Sequence, residues 1–113
     1  MSQSTKREFR YLMRKMSKKG FYDTLNYVSE KQSAHYNEIL NHLVGKKIID
    51  SRVSVPIILK GLTDLKLLER IVTNTRPVRT RYQLSLHGQK ILGLLNQLEY
   101  SHRNLVWNQL FSM

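Results

Sequence analysis

Hydrophobic residues recur at helical spacing through most of the chain and alternate like a strand in one later segment. Helical stripes predict helices over 4–19, 21–31, 36–44, 54–65 and from residue 86 to about 110. Apolar and polar residues alternate from Val78 to Leu84, which predicts a strand over 79–84 that pairs with another over 69–73. Residues 32–35 are predicted to add a short third strand. Residues 45–53 have neither period and are predicted to connect two helices. The fold class is therefore mainly α with a small β-hairpin, an α+β arrangement.

Particular residues mark where these elements begin and end. Gly20 separates the first two helices, and Gly45 is predicted to cap the third. Ser54 is a predicted N-cap with Pro56 in the first helical turn, where a missing N–H is harmless. Ser85 is predicted to cap the last helix, and Pro77 suits the hairpin tip because proline cannot donate to a central strand.

Length and composition indicate one domain without disulfide or metal staples. The chain has 113 residues, is 41% hydrophobic and contains no cysteine, which excludes disulfides and thiolate metal sites. We predict a single domain over 1–113, with a basic N-terminal helix at 4–19, a core at 20–85 and a C-terminal helix at 86–113. No apolar run reaches the ~18 residues of a membrane span, and no secretion signal is recognisable, so we expect a cytoplasmic protein that begins near Met1.

Charge is the unusual feature of the composition. Lys and Arg number 19 against 8 Asp and Glu, for a formal net charge of +11, which predicts attraction to nucleic acid. Catalytic motifs are absent from the sequence, so we predict a protein that is not an enzyme and needs no cofactor. His35, Glu38 and His42 have a spacing that would suit a metal, but without further ligands we interpret them as ordinary polar residues.

The segments Tyr-Asn-Glu-Ile-Leu at 36–40, Ser-Val-Pro at 54–56 and Arg-Tyr-Gln-Leu-Ser at 81–85, in this order, resemble winged helix-turn-helix regulators of the MarR, ArsR and HxlR groups. The first is Tyr-Asn-Glu-Ile-Leu at 36–40, similar to the start of the second helix in those proteins. The second is Ser-Val-Pro at 54–56 running to Leu-Leu-Glu-Arg at 67–70, similar to their recognition helix and first wing strand. The third is Arg-Tyr-Gln-Leu-Ser at 81–85 followed by Gly88, similar to their wing-to-helix junction. The resemblance spans about residues 20–95 and implies DNA binding by a recognition helix and a wing.

Candidate DNA contacts fall on three elements. The recognition helix, about 54–66, contributes Arg52, Ser54, Val55, Ile57, Lys60 and Thr63, and the wing, about 74–81, contributes Asn74, Thr75, Arg76, Arg79 and Arg81. The alternatives without DNA contact are that the wing charges only prevent the sheet edge from pairing with other chains, and that Val55 and Ile57 pack under the connection over 45–53. The N-terminal helix adds Lys6, Arg7, Arg10 and Arg14, which would lie on DNA backbone, on a membrane surface, or simply in solvent.

Surplus apolar residues at both ends of the chain predict a homodimer. The predicted interface comprises Phe9, Leu12, Met13, Met16, Ile91, Leu94, Leu95, Leu98, Leu105 and Trp107, in part spaced by sevens as in coiled coils. The alternative is that the terminal helices pack against each other within one chain.

The combined prediction is a homodimeric transcriptional regulator that binds double-stranded DNA and no membrane, in a cytoplasmic, nucleoid-associated setting. The sequence does not indicate whether a small-molecule effector binds. Two alternatives stay open: an architectural protein that coats DNA without sequence preference, and a winged-helix module that docks other proteins.

Overall fold

The computed structural model describes residues 3–111, so the outermost residues of the predicted domain, 1–2 and 112–113, lie outside the described part. The elements in chain order are α1 Gln3–Met16, α2 Phe21–Lys31, β1 Ala34–His35, α3 Tyr36–Gly45, α4 Ser54–Asp64, β2 Leu68–Val72, β3 Thr80–Leu84 and α5 Leu86–Phe111. The three strands form one antiparallel sheet in the order β1-β3-β2. The predicted fold class and the predicted order of elements are confirmed.

The break between α1 and α2 comes earlier than the predicted residue 19. Helical hydrogen bonding gives way to a tighter turn, in which the Lys18 amide donates to the Lys15 carbonyl at 3.1 Å. Gly20 then adopts a left-handed backbone with φ +88°, and a Cβ there would lie 2.6 Å from Cδ1 of Ile58. Glycine is required at this corner because a side chain would meet both backbone strain and α4.

The core lies between α2, α3, α4 and one face of the sheet. Helix α2 contributes Phe21, Leu25 and Val28, as the helical stripe predicts, and all three are buried. The remaining buried hydrophobic residues are Met16, Ala34, Ile39, Leu43, Ile49, Val55, Ile58, Leu59, Leu62, Leu67, Leu68, Tyr82, Leu84 and Leu92. Ile49 belongs to the predicted connection, so this segment is anchored by one buried side chain.

The hairpin of β2 and β3 places alternate residues on opposite faces of the sheet. Leu68 pairs with Leu84 and Arg70 with Tyr82, so the core face is apolar near α4 and becomes polar toward the tip. β3 is central, since Ala34 of β1 also pairs with Tyr82. The sheet thereby carries the hairpin loop away from the core.

The junction of β3 with α5 is a tight backbone contact. The Ser85 hydroxyl donates to the Lys66 carbonyl at 2.6 Å and accepts from the Gly88 amide at 2.8 Å, which confirms the predicted cap. A Cβ on Gly88 would lie 2.0 Å from the carbonyl oxygen of Leu67. Only glycine lets α5 approach the strand end this closely.

Helix α5 projects beyond the rest of the molecule. Its 26 residues span about 39 Å at 1.5 Å per residue. Every residue from 96 to 110 is exposed. The radius of gyration is 16.2 Å, against about 13 Å for a compact chain of this length.

Candidate nucleic-acid interface

The hairpin tip, defined as residues 74–79, is held closed by Thr73 and carries exposed polar side chains. The Thr73 amide donates to the Arg79 carbonyl at 3.0 Å, and the Thr73 hydroxyl accepts from the Arg79 amide at 3.3 Å. Asn74, Thr75 and Arg76 are exposed on the tip, and so is the Arg79 side chain. These contacts use the backbone of Arg79 and leave its guanidinium at the surface.

Arg81 lies lower on the hairpin than Arg76 and Arg79. It pairs with His35 on β1 and with Ile71 on β2, and its side chain is half-buried. Its Nε is buried without a hydrogen-bond partner among the described residues. An unpaired buried donor carries an energetic cost.

A cleft of about 430 Å³ lies between the hairpin and the first turn of α3. Its lining consists of His35, Tyr36, Asn37, Val78, Arg79 and Thr80. The nearby Glu38 carboxylate accepts from the His35 amide at 2.9 Å, which ties it to the start of α3. Sequence reasoning did not assign Tyr36 or Asn37 to the candidate interface. The sequence did contain a signal for them: the predicted short strand that ends at His35 can pair with the strand that follows the tip, which brings the start of α3 beside the hairpin.

The exposed face of α4 combines apolar residues near its start with an ion pair near its end. Ile57 is 66% exposed. Lys60 Nζ lies 2.9 Å from Asp64 Oδ2, and the Thr63 hydroxyl donates to the Leu59 carbonyl at 2.7 Å. Arg52 is exposed just before the helix, and Ser54 is half-buried. The predicted polar readers Lys60 and Thr63 are therefore both engaged within the helix.

Val55 is wrong as a predicted DNA contact. Its side chain is fully buried, and the inward stripe of α4 is Val55, Ile58, Leu59 and Leu62. Because α4 begins at Ser54, Val55 stands one turn before Ile58 and Leu59 and so shares their face. Leu65, the predicted last residue of this helix, is half-buried just after the helix ends.

The basic residues of α1 lie at the surface. Lys6, Arg7, Arg10 and Arg14 are all exposed. Salt bridges in the described part join Lys19 to Asp50, Lys60 to Asp64 and Arg103 to Glu99. Within residues 3–111, neither the four α1 cations nor the three hairpin arginines take part in those salt bridges.

The residues predicted for a dimer interface are mostly exposed in the single chain. Phe9, Leu94, Leu98, Leu105 and Trp107 each have about three-fifths of their surface exposed. Half-buried members of the set are Leu12, Met13, Ile91 and Leu95. Met16 is 7% exposed and belongs to the chain's own core, which leaves it little surface for a partner.

An apolar groove of about 480 Å³ runs between the end of α1 and the middle of α5. It is lined by Met13, Met16, Ser17, Tyr22, Leu95, Leu98, Glu99 and His102. Beside it, the Tyr22 hydroxyl donates to Asn96, whose amide donates to Asn26 at 3.2 Å. These hydrogen bonds tie the first half of α5 to α2.

The three residues with metal-like spacing have other contacts. His35 and Glu38 form the capping box of α3, and the His42 ring stacks on Tyr27 with centroids 4.1 Å apart. Within residues 3–111 no group of three His, Asp or Glu side chains is arranged to hold a metal ion. None of the described helices is long and apolar enough to cross a membrane.

The fold is similar to those of solved structures that are described as transcriptional regulators. A putative MarR-family transcriptional regulator from Enterococcus faecalis superimposes with a TM-score of 0.77 at 14% identity, covering 96% of this chain and 93% of that one. The fold is a winged helix-turn-helix. The reduced form of the transcriptional regulator YodB from B. subtilis has a TM-score of 0.67 at 16% identity, covering 80% of this chain and 84% of that one.

Two further similarities bear on the architecture. A mutant of S. aureus MepR bound to an oligodeoxyribonucleotide has a TM-score of 0.66 at 19% identity, covering 95% of this chain and 78% of that one. A PadR-family transcriptional regulator from Eggerthella lenta has a TM-score of 0.65 at 14% identity, covering 98% of this chain and 96% of that one. No model of a protein family matches the sequence. No curated protein matches it either. We call the hairpin of β2 and β3, together with its tip, the wing.

Proposed function

We propose that this protein is a DNA-binding transcriptional regulator that binds duplex DNA as a homodimer, with α4 in the major groove and the wing on the adjacent backbone. The observation that carries the proposal is the group of three hairpin arginines: Arg76 and Arg79 are exposed, Arg81 is half-buried, and none of them takes part in a salt bridge among the described residues. A net charge of +11 supplies the long-range attraction to a polyanion. One similar structure, that of MepR, is described as bound to an oligodeoxyribonucleotide, which supports DNA as the partner class.

The cleft beside Arg79 supports contact with the DNA backbone next to the hairpin tip. Arg79 supplies a charged donor, and Asn37, Tyr36 and Thr80 supply neutral hydrogen-bonding groups in the same lining. Phosphate oxygens accept from such groups, and contacts to phosphate set the register of a protein on the duplex. Arg81, with its unpaired Nε, lies one strand position beyond this lining.

The dimer is supported by the apolar surface of α5 and α1. Leu94, Leu98, Leu105 and Leu110 are each 59% to 62% exposed along a helix that projects from the core. A soluble monomer rarely exposes an apolar surface of this extent, and a second copy would cover it through an isologous contact. A two-fold dimer places two copies of α4 on one duplex, which predicts an inverted-repeat site.

The DNA interface can be tested through the salt dependence of binding. Arg79→Gln removes one phosphate contact, so the slope of log K against log salt should become shallower by about 0.9. Fluorescence anisotropy of a labelled duplex over a salt series measures this slope. Arg103→Gln is the matched control, because Arg103 is exposed on α5 and paired with Glu99, and it should leave the slope unchanged. An identical slope for wild type and Arg79→Gln would remove Arg79 from the interface.

A second candidate function is architectural DNA coating without sequence preference. It is favoured by α4, whose Lys60 and Thr63 are engaged within the helix and offer few free donors to bases. Selection from random duplexes at two salt concentrations separates the two functions. Enrichment of an inverted repeat supports the regulator, and binding without enrichment supports the architectural protein.

A further inference from the structure

The major-groove end of α4 is unusually apolar at its surface. Val53 is 73% exposed and Ile57 is 66% exposed, and Pro56 between them is exposed as well. These three residues, defined here as the apolar tip of α4, occupy the first turn and the residue before it. In helix-turn-helix proteins the N-terminal residues of the recognition helix are those that contact base edges. The part of α4 best placed to read bases therefore presents hydrocarbon.

The polar residues of the same helix cannot readily replace it as readers. Lys60 Nζ donates to Asp64 Oδ2 at 2.9 Å, and the Thr63 hydroxyl donates to the Leu59 carbonyl at 2.7 Å. The Lys60–Asp64 pair is exposed and therefore weak, but bringing Lys60 to a base also brings the carboxylate of Asp64 toward the duplex. Few side chains of this helix are therefore free to hydrogen-bond to base edges. The apolar tip, by contrast, is exposed and can contact apolar groups without rearrangement.

Charge around the apolar tip fits a polyanion better than an apolar protein partner. Lys46, Lys47 and Arg52 are exposed in the segment that leads to α4. The acids of this region, Asp50 and Asp64, are already paired with Lys19 and Lys60. Exposed cations in the segment that precedes the apolar tip are complementary to the phosphates of a duplex.

Thymine is the standard base with an apolar group in the major groove, its C5-methyl. On the basis of the proposed function, we propose that the apolar tip of α4 reads thymine methyl groups, so that the protein prefers thymine-containing sites through contact with Ile57, Val53 and Pro56. Cytosine methylated at C5 presents the same group at the same place in the groove. Recognition would rest on methyl burial rather than on hydrogen bonds to base edges.

The test compares two duplexes that differ only in this methyl group. One is an alternating adenine–thymine duplex, and the other has uracil in place of thymine, which keeps every hydrogen-bonding group. Wild-type protein should bind the thymine duplex more tightly by about fourfold for each methyl group buried. Ile57→Ser should lower this ratio toward one, while Ile57→Val, which keeps an apolar side chain, should retain most of it. Because Ile57 is exposed, neither substitution disturbs the core.

The outcomes separate this inference from the proposed function. Equal binding of wild type to both duplexes overturns methyl reading and leaves DNA binding intact. Failure to bind either duplex at low salt overturns the proposed function as well. If Ile57→Ser keeps the thymine preference, the apolar tip is not the reader. If instead the two duplexes bind equally and Ile57→Ser changes the sedimentation of the free protein, the apolar tip is a protein contact and the inference is wrong.

Discussion

Gly88→Ala is expected to lower the free energy of unfolding by about 3 kcal/mol and the melting temperature by about 10 to 20 °C. The added Cβ would lie 2.0 Å from the Leu67 carbonyl oxygen and 2.9 Å from its carbon, far inside van der Waals contact. That carbonyl cannot move freely, because it accepts from the Ser85 amide at 3.1 Å and lies 3.3 Å from the Ser85 hydroxyl. Helix α5 would therefore have to shift away from the sheet. Urea denaturation followed by circular dichroism measures the loss.

Gly93→Ala provides the matched control on the same helix. A Cβ at Gly93 would meet no atom within 4 Å, so only the intrinsic preference of alanine for helix remains. This variant should gain about 0.5 to 1 kcal/mol. Equal stabilities of the two variants would show that α5 does not approach Leu67 as described.

Leu98→Glu is expected to abolish the proposed dimer, raising its dissociation constant by about a thousandfold. Leu98 lines the apolar groove between α1 and α5 and is 59% exposed in the single chain. Burial in an interface would desolvate the introduced carboxylate, and two-fold symmetry applies the penalty twice, at about 2 kcal/mol per subunit or more. Analytical ultracentrifugation over a concentration series gives the dissociation constants.

Gln97→Glu adds the same charge at the neighbouring exposed position and is the control for a general effect of charge on α5. The dissociation constant of the Gln97→Glu dimer should rise far less than that of the Leu98→Glu dimer. Unchanged circular dichroism of both variants would confirm that the folded chain persists. If Leu98→Glu sediments like the wild type, either the dimer interface lies elsewhere or the protein does not form the proposed dimer.

The fold could be predicted from the sequence because its periodic signals are clean where one face meets the core. Phe21, Leu25 and Val28 occur at helical spacing among polar residues, so only one face of α2 can be buried. Tyr82 and Leu84 alternate with polar residues and are both buried in the central strand. Ser85 marked the start of α5 because capping chemistry is local and depends on few neighbours.

The inward face of α4 could not be predicted in the same way. Apolar residues at 53, 55, 57, 58, 59 and 62 nearly surround the helix, so periodicity alone does not choose a side. Tertiary packing decides it. Gly61 leaves room for the Phe21 ring, and Ile58 packs beside Gly20, which together turn Val55 inward and Ile57 outward.

Only part of the candidate interface could be predicted from the sequence, because the rest depends on tertiary contacts. Exposed arginines in a hairpin loop follow directly from the sequence, as at Arg76 and Arg79. The half-burial of Arg81 and the cleft formed with Asn37 depend on the pairing of β1 with β3, residues far apart in the chain. The engagement of Lys60 by Asp64 has the spacing of a helical ion pair, a signal that the sequence offered and that the prediction of Lys60 as a base reader did not use.

Titration of a short duplex into isotopically labelled protein, followed by amide chemical shifts, tests the central claim most directly. If DNA docks on the wing and α4, the largest shifts should occur over residues 52–60 and 73–81, with smaller ones at 36 and 37. Amides in the projecting part of α5, residues 96–110, should change little at constant dimer concentration. Shifts confined to α5 or α1, with the hairpin tip unaffected, would contradict the account.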